Sequence, residues 1–291
     1  MKKILPLILC ITLLTACSGE PSQSIPEELV VSSVPQTESE TQAKIFAQVC
    51  GVKLTREVQT CVSLSPAVTE IIAELNCADR LIGTSTYCDY PEELSAAAFG
   101  SAENPDIKGI IGVKPDALLT LSPLSERDIY ALEDAGIAVI QLEQPTDIEG
   151  YGRLYSDISA CFFGSEAAGK AAQEAVESLK KAAEKVQLGT FIYVTDKLTA
   201  AGTSTPENAF LSLCGKNLAE FEGYASAEEI EETPNYIIMS DTLSESDLWA
   251  DKALSAMLYN GAKHILVTSA RFERPSARSA EIYSQIAEQL S

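Results

Sequence analysis

Thiols and one imidazole are the groups in this 291-residue chain best suited to nucleophilic, redox or metal chemistry. The imidazole belongs to His264, at the start of an apolar stretch. A Ser-His-Asp triad would have to use it, yet no Gly-x-Ser-x-Gly turn is present. Capture of zinc or manganese usually draws on several imidazoles, so a structural histidine is the simpler reading. Apart from Cys10 and Cys17, the cysteines are Cys50, Cys61, Cys77, Cys88, Cys161 and Cys214, with no Cys-x-x-Cys pair among them. They are spread over a chain large enough to fold without staples. Cys50 and Cys61 flank a hairpin-like stretch and are the pair best placed to bridge; otherwise all six serve as small buried hydrophobes. Walker and Gly-x-Gly-x-x-Gly loops are missing, and Glu228, Glu229, Glu231 and Glu232 read as a solvated face. Nothing here argues for catalysis, and neither a resident cofactor nor a metal site is expected.

Cys17 carries its chemistry in its surroundings. Lys2 and Lys3 precede an apolar run over residues 4–14, and Leu14-Thr15-Ala16 leads into the cysteine. This order resembles a bacterial lipobox, a secretory signal cut before a cysteine whose sulfur takes a diacylglyceryl group. The apolar run is too short to cross roughly 30 Å of hydrocarbon. The expectation is a signal peptide over residues 1–16 and lipid attachment at Cys17, giving an extracytoplasmic protein anchored to the membrane through lipid only. Residues 17–42, rich in Ser, Pro, Gln, Thr and Glu, cannot bury enough surface to order themselves and read as a flexible tether. A formal net charge of −21 repels nucleic acid and anionic headgroups, which argues against DNA or RNA partners.

The rest of the chain alternates short β-branched runs with amphipathic stretches. Residues 62–65 read as a strand; Ser65 and Pro66 then supply an N-cap and a first-turn proline. Val68, Ile71, Ile72 and Leu75 follow on one helical face. Residues 81–84, 117–121 and 138–142 read as further buried strands, with a helix capped by Ser125 and Asp128 between the last two. A second series has strands near 191–194, 236–239 and 264–268 and ends in a helix over about 276–289. Between the series, residues 164–186 are rich in Ala, Glu and Lys without proline, a stiff helical connector. The expected fold is α/β: two Rossmann-like lobes with parallel sheets joined by one long backbone helix. The lobes span residues 43–160 and 188–291, with the connector at 161–187 and limited motion about it.

Residues 61–91, from Cys61-Val-Ser-Leu-Ser-Pro-Ala-Val through Thr86-Tyr87-Cys88-Asp89-Tyr90-Pro91, strongly resemble the opening of cobalamin-binding proteins of ABC importers. That family belongs to the helical-backbone class of substrate-binding proteins, shared with ferric-siderophore and haem binders. Gly112-Val-Lys-Pro-Asp116 and the stretch from Thr268-Ser-Ala-Arg-Phe-Glu through Arg274-Pro-Ser-Ala-Arg278 are further matches. The resemblance covers about residues 58–290. It implies a monomer that binds a metal chelate between its lobes and delivers it to a permease and its ATPase. The ligand would be cobalamin or a related corrinoid, with a ferric siderophore or haem as the alternative.

The same resemblance names residues. Tyr87 matches a position that packs a ring on the corrinoid, and Thr86 and Ser122 lie at neighbouring strand ends. Tyr224 falls near a family tryptophan, and Phe272 lies in the last block. Leu121 stands where vitamin binders carry a tryptophan, and Ala270-Arg271 replaces their Asp-Trp, so Arg271 either offers the cleft a cation or pairs with a nearby acid. The single Trp249 falls outside every matched motif. Permease docking in the family uses one glutamate per lobe. Glu228 matches the second, whereas the first is Lys108 here, leaving Asp106 or Glu103 to substitute.

Overall fold

The computed structural model describes residues 45–291. The expected signal, tether and acylated Cys17 lie outside the described residues. An antiparallel hairpin of β1 (Ala47–Val49) and β2 (Val52–Leu54) turns through Cys50 and Gly51. The first α/β series is β3 (Cys61–Ser63), α1 (Pro66–Glu74), β4 (Leu81–Thr84), β5 (Ala97–Ala98), α2 (Ile107–Val113), β6 (Ala117–Thr120), α3 (Glu126–Asp134) and β7 (Ala138–Gln141). Its strands are all parallel, in the order β5-β4-β3-β6-β7, so the winding reverses between β3 and β6.

Local signals account for much of this. Pro66 starts α1 where the first turn leaves an N–H unpaired in any case. Ser65 precedes it in extended conformation but makes no cap bond; its hydroxyl accepts the Leu121 N–H at 2.8 Å, tying β3 to β6. Ser125 does cap α3, accepting from the Asp128 N–H at 3.2 Å and donating to its carboxylate at 2.7 Å. Asp116, the last residue of the Gly-Val-Lys-Pro-Asp motif, accepts the backbone N–H groups of Gln59 and Thr60 at 2.8 and 3.0 Å. Partial burial opposes its ionisation, but those bonds and the Arg56 guanidinium outweigh it and hold the carboxyl below the usual range. The motif thus clamps the entries of β3 and β6 together.

Two helices follow, α4 (Ile148–Phe163) and α5 (Ser165–Ala183). The connecting helix is therefore shorter than residues 161–187, because 161–163 close α4. Gly164 turns the chain at φ 79° and ψ 171°, a conformation open essentially to glycine alone. α5 folds back along α4, so closely that a Cβ on Gly152 would sit 3.0 Å from Val176.

The second series is β8 (Gly189–Val194), β9 (Thr199–Ala201), α6 (Pro206–Leu211), β10 (Gly215–Asn217), β11 (Tyr224–Ser226), β12 (Tyr236–Ser240), α7 (Glu245–Ala250), α8 (Lys252–Tyr259), β13 (Lys263–Val267), α9 (Ala270–Glu273) and α10 (Glu281–Leu290). β8, β10, β12 and β13 are parallel, while at one side β9 pairs antiparallel with both β8 and β11, so that β9 alone runs against the rest. His264 lies within β13 opposite Ile237, half-buried.

Each sheet is covered on both faces. Val62, Phe99, Ile110 and Leu118 form a core on one face of the first sheet, and Ile192, Met239, Leu248 and Leu254 one on the second. The remaining faces share a single buried cluster. It runs from Val68, Ile71 and Leu119 through Tyr151, Ile158 and Leu179 to Phe191, Phe210, Ile265 and Tyr283. Burial at roughly 25 cal/mol per Å² of apolar area makes such a shared core costly to pull apart.

All six described cysteines are free thiols. Cys50 and Cys61, the pair expected to bridge, are separated by their settings. Cys50 is exposed in the hairpin turn with its sulfur 3.7 Å from Asp157, while Cys61 is buried in β3. Burial pushes the Cys161 thiol up to about 12, and Cys61 rises for the same reason, as expected of inert core cysteines. Among the described residues no helix is long and apolar enough to cross a membrane, and no three His, Cys, Asp or Glu side chains are grouped to hold a metal ion.

Candidate ligand-binding cleft

A cavity of about 490 Å³ opens at the carboxyl ends of β8 and β12. There the second sheet's winding reverses, with β9 and β10 on one side of β8 and β12 and β13 on the other. Crevices at such reversals are the usual ligand sites of α/β sheets. Tyr193, Thr195, Asp196, Lys197 and Thr199 line it from β8, β9 and their turn; Ser240, Thr242 and Ser269 come from just at or after the ends of β12 and β13, and Glu273 from the end of α9. Glu207 enters from α6, whose first turn is set by Thr205 as N-cap and Pro206, and Tyr224 enters from β11.

Glu207 dominates the electrostatics. Burial raises its carboxyl above the ordinary glutamate value, against hydrogen bonds from its own backbone, Tyr224 and Thr205, and the neighbouring Glu273 adds to the rise. The Tyr224 hydroxyl donates to it at 3.0 Å. Since folding favours the protonated form, Glu207 contributes stability that is present below its ordinary value and lost as pH rises through the raised one. Glu207→Gln, which imitates the neutral form, should therefore stabilise the unliganded protein by about 1 kcal/mol at pH 7.5. Thermal melts should show this gain shrinking to nothing toward pH 4; a variant less stable than wild type at pH 7.5 would contradict it.

The first lobe presents its own strand ends. At the reversal between β3 and β6, the Ser65 hydroxyl lies 3.3 Å from that of Thr120, which donates to the Ser122 carbonyl at 3.1 Å. Leu121 and Ser122 sit there half-buried, Leu121 packed against the shared core. Thr86 is exposed, but its hydroxyl donates to the Gly100 carbonyl at 3.3 Å. Tyr87 is 63 % exposed.

The segment after α9 crosses to this lobe. Arg274 meets Asp89 at 2.6 Å and donates to the Tyr87 carbonyl at 3.4 Å. Ser276 and Arg278 both donate to Glu70 of α1, at 2.6 and 3.2 Å, and the Ala277 N–H donates to Glu74 at 3.0 Å. The Arg278 guanidinium also covers the Tyr90 ring at 4.3 Å. Arg274 thus holds the Tyr87 loop next in sequence to Glu273 of the cavity lining, although Thr86, Tyr87, Leu121 and Ser122 do not themselves line that cavity.

Several expected positions fall elsewhere. Phe272 is turned inward, 1 % exposed, with its ring edge-on to Tyr193 at 5.0 Å, so it is unavailable to a ligand. Arg271 pairs with Glu281 at 2.7 Å rather than facing the cleft. Glu228 is exposed on a short turn, beside a groove it shares with Glu231, Glu232 and Lys252. Asp106 is exposed and caps α2, accepting the Gly109 N–H at 3.0 Å. Glu207, Glu273, Tyr193 and the Thr195–Lys197 turn were not anticipated. The polar Thr195-Asp196-Lys197 directly after an apolar strand was the available signal, since it marks the strand's carboxyl end.

Comparison with known proteins agrees with this fold. Residues 61–246 match a family model described as periplasmic binding protein. A vitamin B12-binding protein of Vibrio campbellii is 24% identical over 247 residues, covering 79% of this chain and 88% of that one. An uncharacterised ABC transporter substrate-binding lipoprotein of Bacillus subtilis is 30% identical over 141 residues, 47% of this chain and only 43% of that protein's own length. Among solved structures, the vitamin B12-binding protein of Vibrio cholerae superposes with a TM-score of 0.61 at 21% identity, covering 80% of this chain and 96% of that one. A possible iron-binding protein of Staphylococcus epidermidis gives 0.65 at 22%, covering 81% and 99%. These structural likenesses speak for the fold. With the family match spanning more than half its length, the chain belongs to the periplasmic binding protein family.

Proposed function

We propose that this protein captures a corrinoid, cobalamin or a close relative, between its two lobes and delivers it to the permease and ATPase of an ABC importer. In this reading it works outside the membrane as a monomer, anchored through lipid at Cys17, with Glu228 and Asp106 meeting basic permease residues. The observation that carries it is the cavity at the strand ends of the second lobe, rimmed by the exposed Tyr224 and linked through Arg274 to the exposed Tyr87. The volume of about 490 Å³ is that of the second-lobe cavity alone, room for one side of a corrinoid whose remainder would extend toward Tyr87. A flat macrocycle offers a large apolar face for both rings, and each tyrosine adds a polar tip. Relatives named for vitamin B12 lend the reading support.

A ferric siderophore or haem is the second reading, favoured by structural neighbours described as haem- and petrobactin-binding proteins. Titration with cyanocobalamin tests the choice. Quenching of Tyr and Trp fluorescence at sub-micromolar ligand and a rise in melting temperature are expected. Tyr87→Ala should weaken binding about tenfold, through the lost ring contact and its buried area. No response to cyanocobalamin, with tight binding of haem or a ferric catecholate, would move the assignment to the second reading.

A further inference from the structure

We infer, resting on the reading that this cleft holds a metal chelate, that its second-lobe wall selects by charge. It takes neutral or cationic chelates with N–H donors at the rim, such as amides, and turns away those rimmed with carboxylates or catecholates. The lining sets Asp196, Glu207 and Glu273 against one cation, Lys197. The guanidinium groups nearest in sequence are already committed, Arg271 to Glu281 at 2.7 Å and Arg274 to Asp89 at 2.6 Å. No arginine fork is thus free on this segment to receive a ligand carboxylate in the bidentate manner that such recognition favours.

Glu207 and Glu273 both line the cavity, where burial raises the Glu207 carboxyl and the Glu273 charge adds to the rise. A ligand anion placed beside them would add a third like charge in a medium that screens weakly. A ligand amide does the reverse, because its N–H groups supply the donors that water no longer provides. Tyr224 on Oε2, the Glu207 backbone N–H and Thr205 take up some of the acceptor positions of the Glu207 carboxylate, not all of them. Carboxylate oxygens accept more than one bond each, so capacity remains for a ligand donor.

The test compares four probes on the full chain at pH 7.5: cyanocobalamin, its monocarboxylic acid with one side-chain amide hydrolysed, a cationic ferric trihydroxamate and a ferric tris-catecholate. The monocarboxylic acid should bind at least about tenfold more weakly than the amide. In the Glu207→Gln, Glu273→Gln double variant that gap should close to within about twofold. Equal binding of amide and acid by the wild type, or a gap that survives in the double variant, overturns the inference while leaving the corrinoid reading intact. If no corrinoid binds but the trihydroxamate does and the catecholate does not, the corrinoid reading falls and charge selection stands. Tightest binding of the catecholate overturns charge selection, and failure of all four probes overturns both.

Discussion

Arg278→Met is expected to lower the free energy of unfolding by about 3–5 kcal/mol, far more than a surface ion pair contributes. The reason lies in its partner. Glu70 is 1 % exposed, on the face of α1 turned toward the other lobe. Its two oxygens accept from the Arg278 guanidinium and the Ser276 hydroxyl. Removing the guanidinium leaves a carboxylate buried without a countercharge, and the desolvation cost is then opposed only by the Ser276 hydrogen bond. The Tyr90 ring also loses its cation. Glu70→Leu combined with Arg278→Met should restore most of the loss, since the pair is replaced by apolar groups of similar volume. Urea unfolding of wild type, single and double variants reads this directly. A loss below about 1 kcal/mol for Arg278→Met would mean that the tie between the lobes is only a surface contact.

That tie also explains which features of the chain were legible. The two longest motif blocks, residues 61–91 and 268–278, touch one another through Glu70, Glu74, Tyr87, Asp89 and Tyr90 on one side and Arg274, Ser276, Ala277 and Arg278 on the other. Asp116 of the third block clamps two strand entries. Much of what reads as a family signature therefore holds lobes and strands together, which is why it pointed to the fold more surely than to the pocket. The start of α1 was legible because Ser65-Pro66 is a local signal. The break before α5 was not, because composition is blind to the one backbone conformation that Gly164 supplies.

The pocket was legible only in part, for a related reason. Tyr224 stands out as an aromatic beside a motif and does line the cavity. Glu207 looks like an ordinary first-turn acid, and its place in the cavity lining arises when α6 packs beside the ends of β8 and β12. Arg271 and Arg274 are three residues apart on either side of the end of a four-residue helix. Which of them faces the other lobe depends on partners 10 and 185 positions away, and local spacing holds no record of those.

Phe272 shows what such a misreading would cost, and it sets the second large effect. Phe272→Ala is expected to destabilise by about 3–5 kcal/mol, the range for truncating a buried phenylalanine and leaving a cavity. Its ring stands edge-on to Tyr193 and lies 6.2 Å from Phe210 in the core shared by both lobes. Phe272→Leu keeps most of the volume and should cost less than about 1.5 kcal/mol. A ligand-contact role predicts the opposite pattern, with an alanine variant of near-normal stability and weakened affinity. Equilibrium unfolding of both variants separates the two, and an alanine variant within about 1 kcal/mol of wild type would return Phe272 to the cleft. Because Tyr193 lines the cavity and leans on Phe272, a softened floor should also blunt discrimination between ligands before it abolishes binding. Through Tyr193 the floor of the cavity is packed directly on the core that both lobes share.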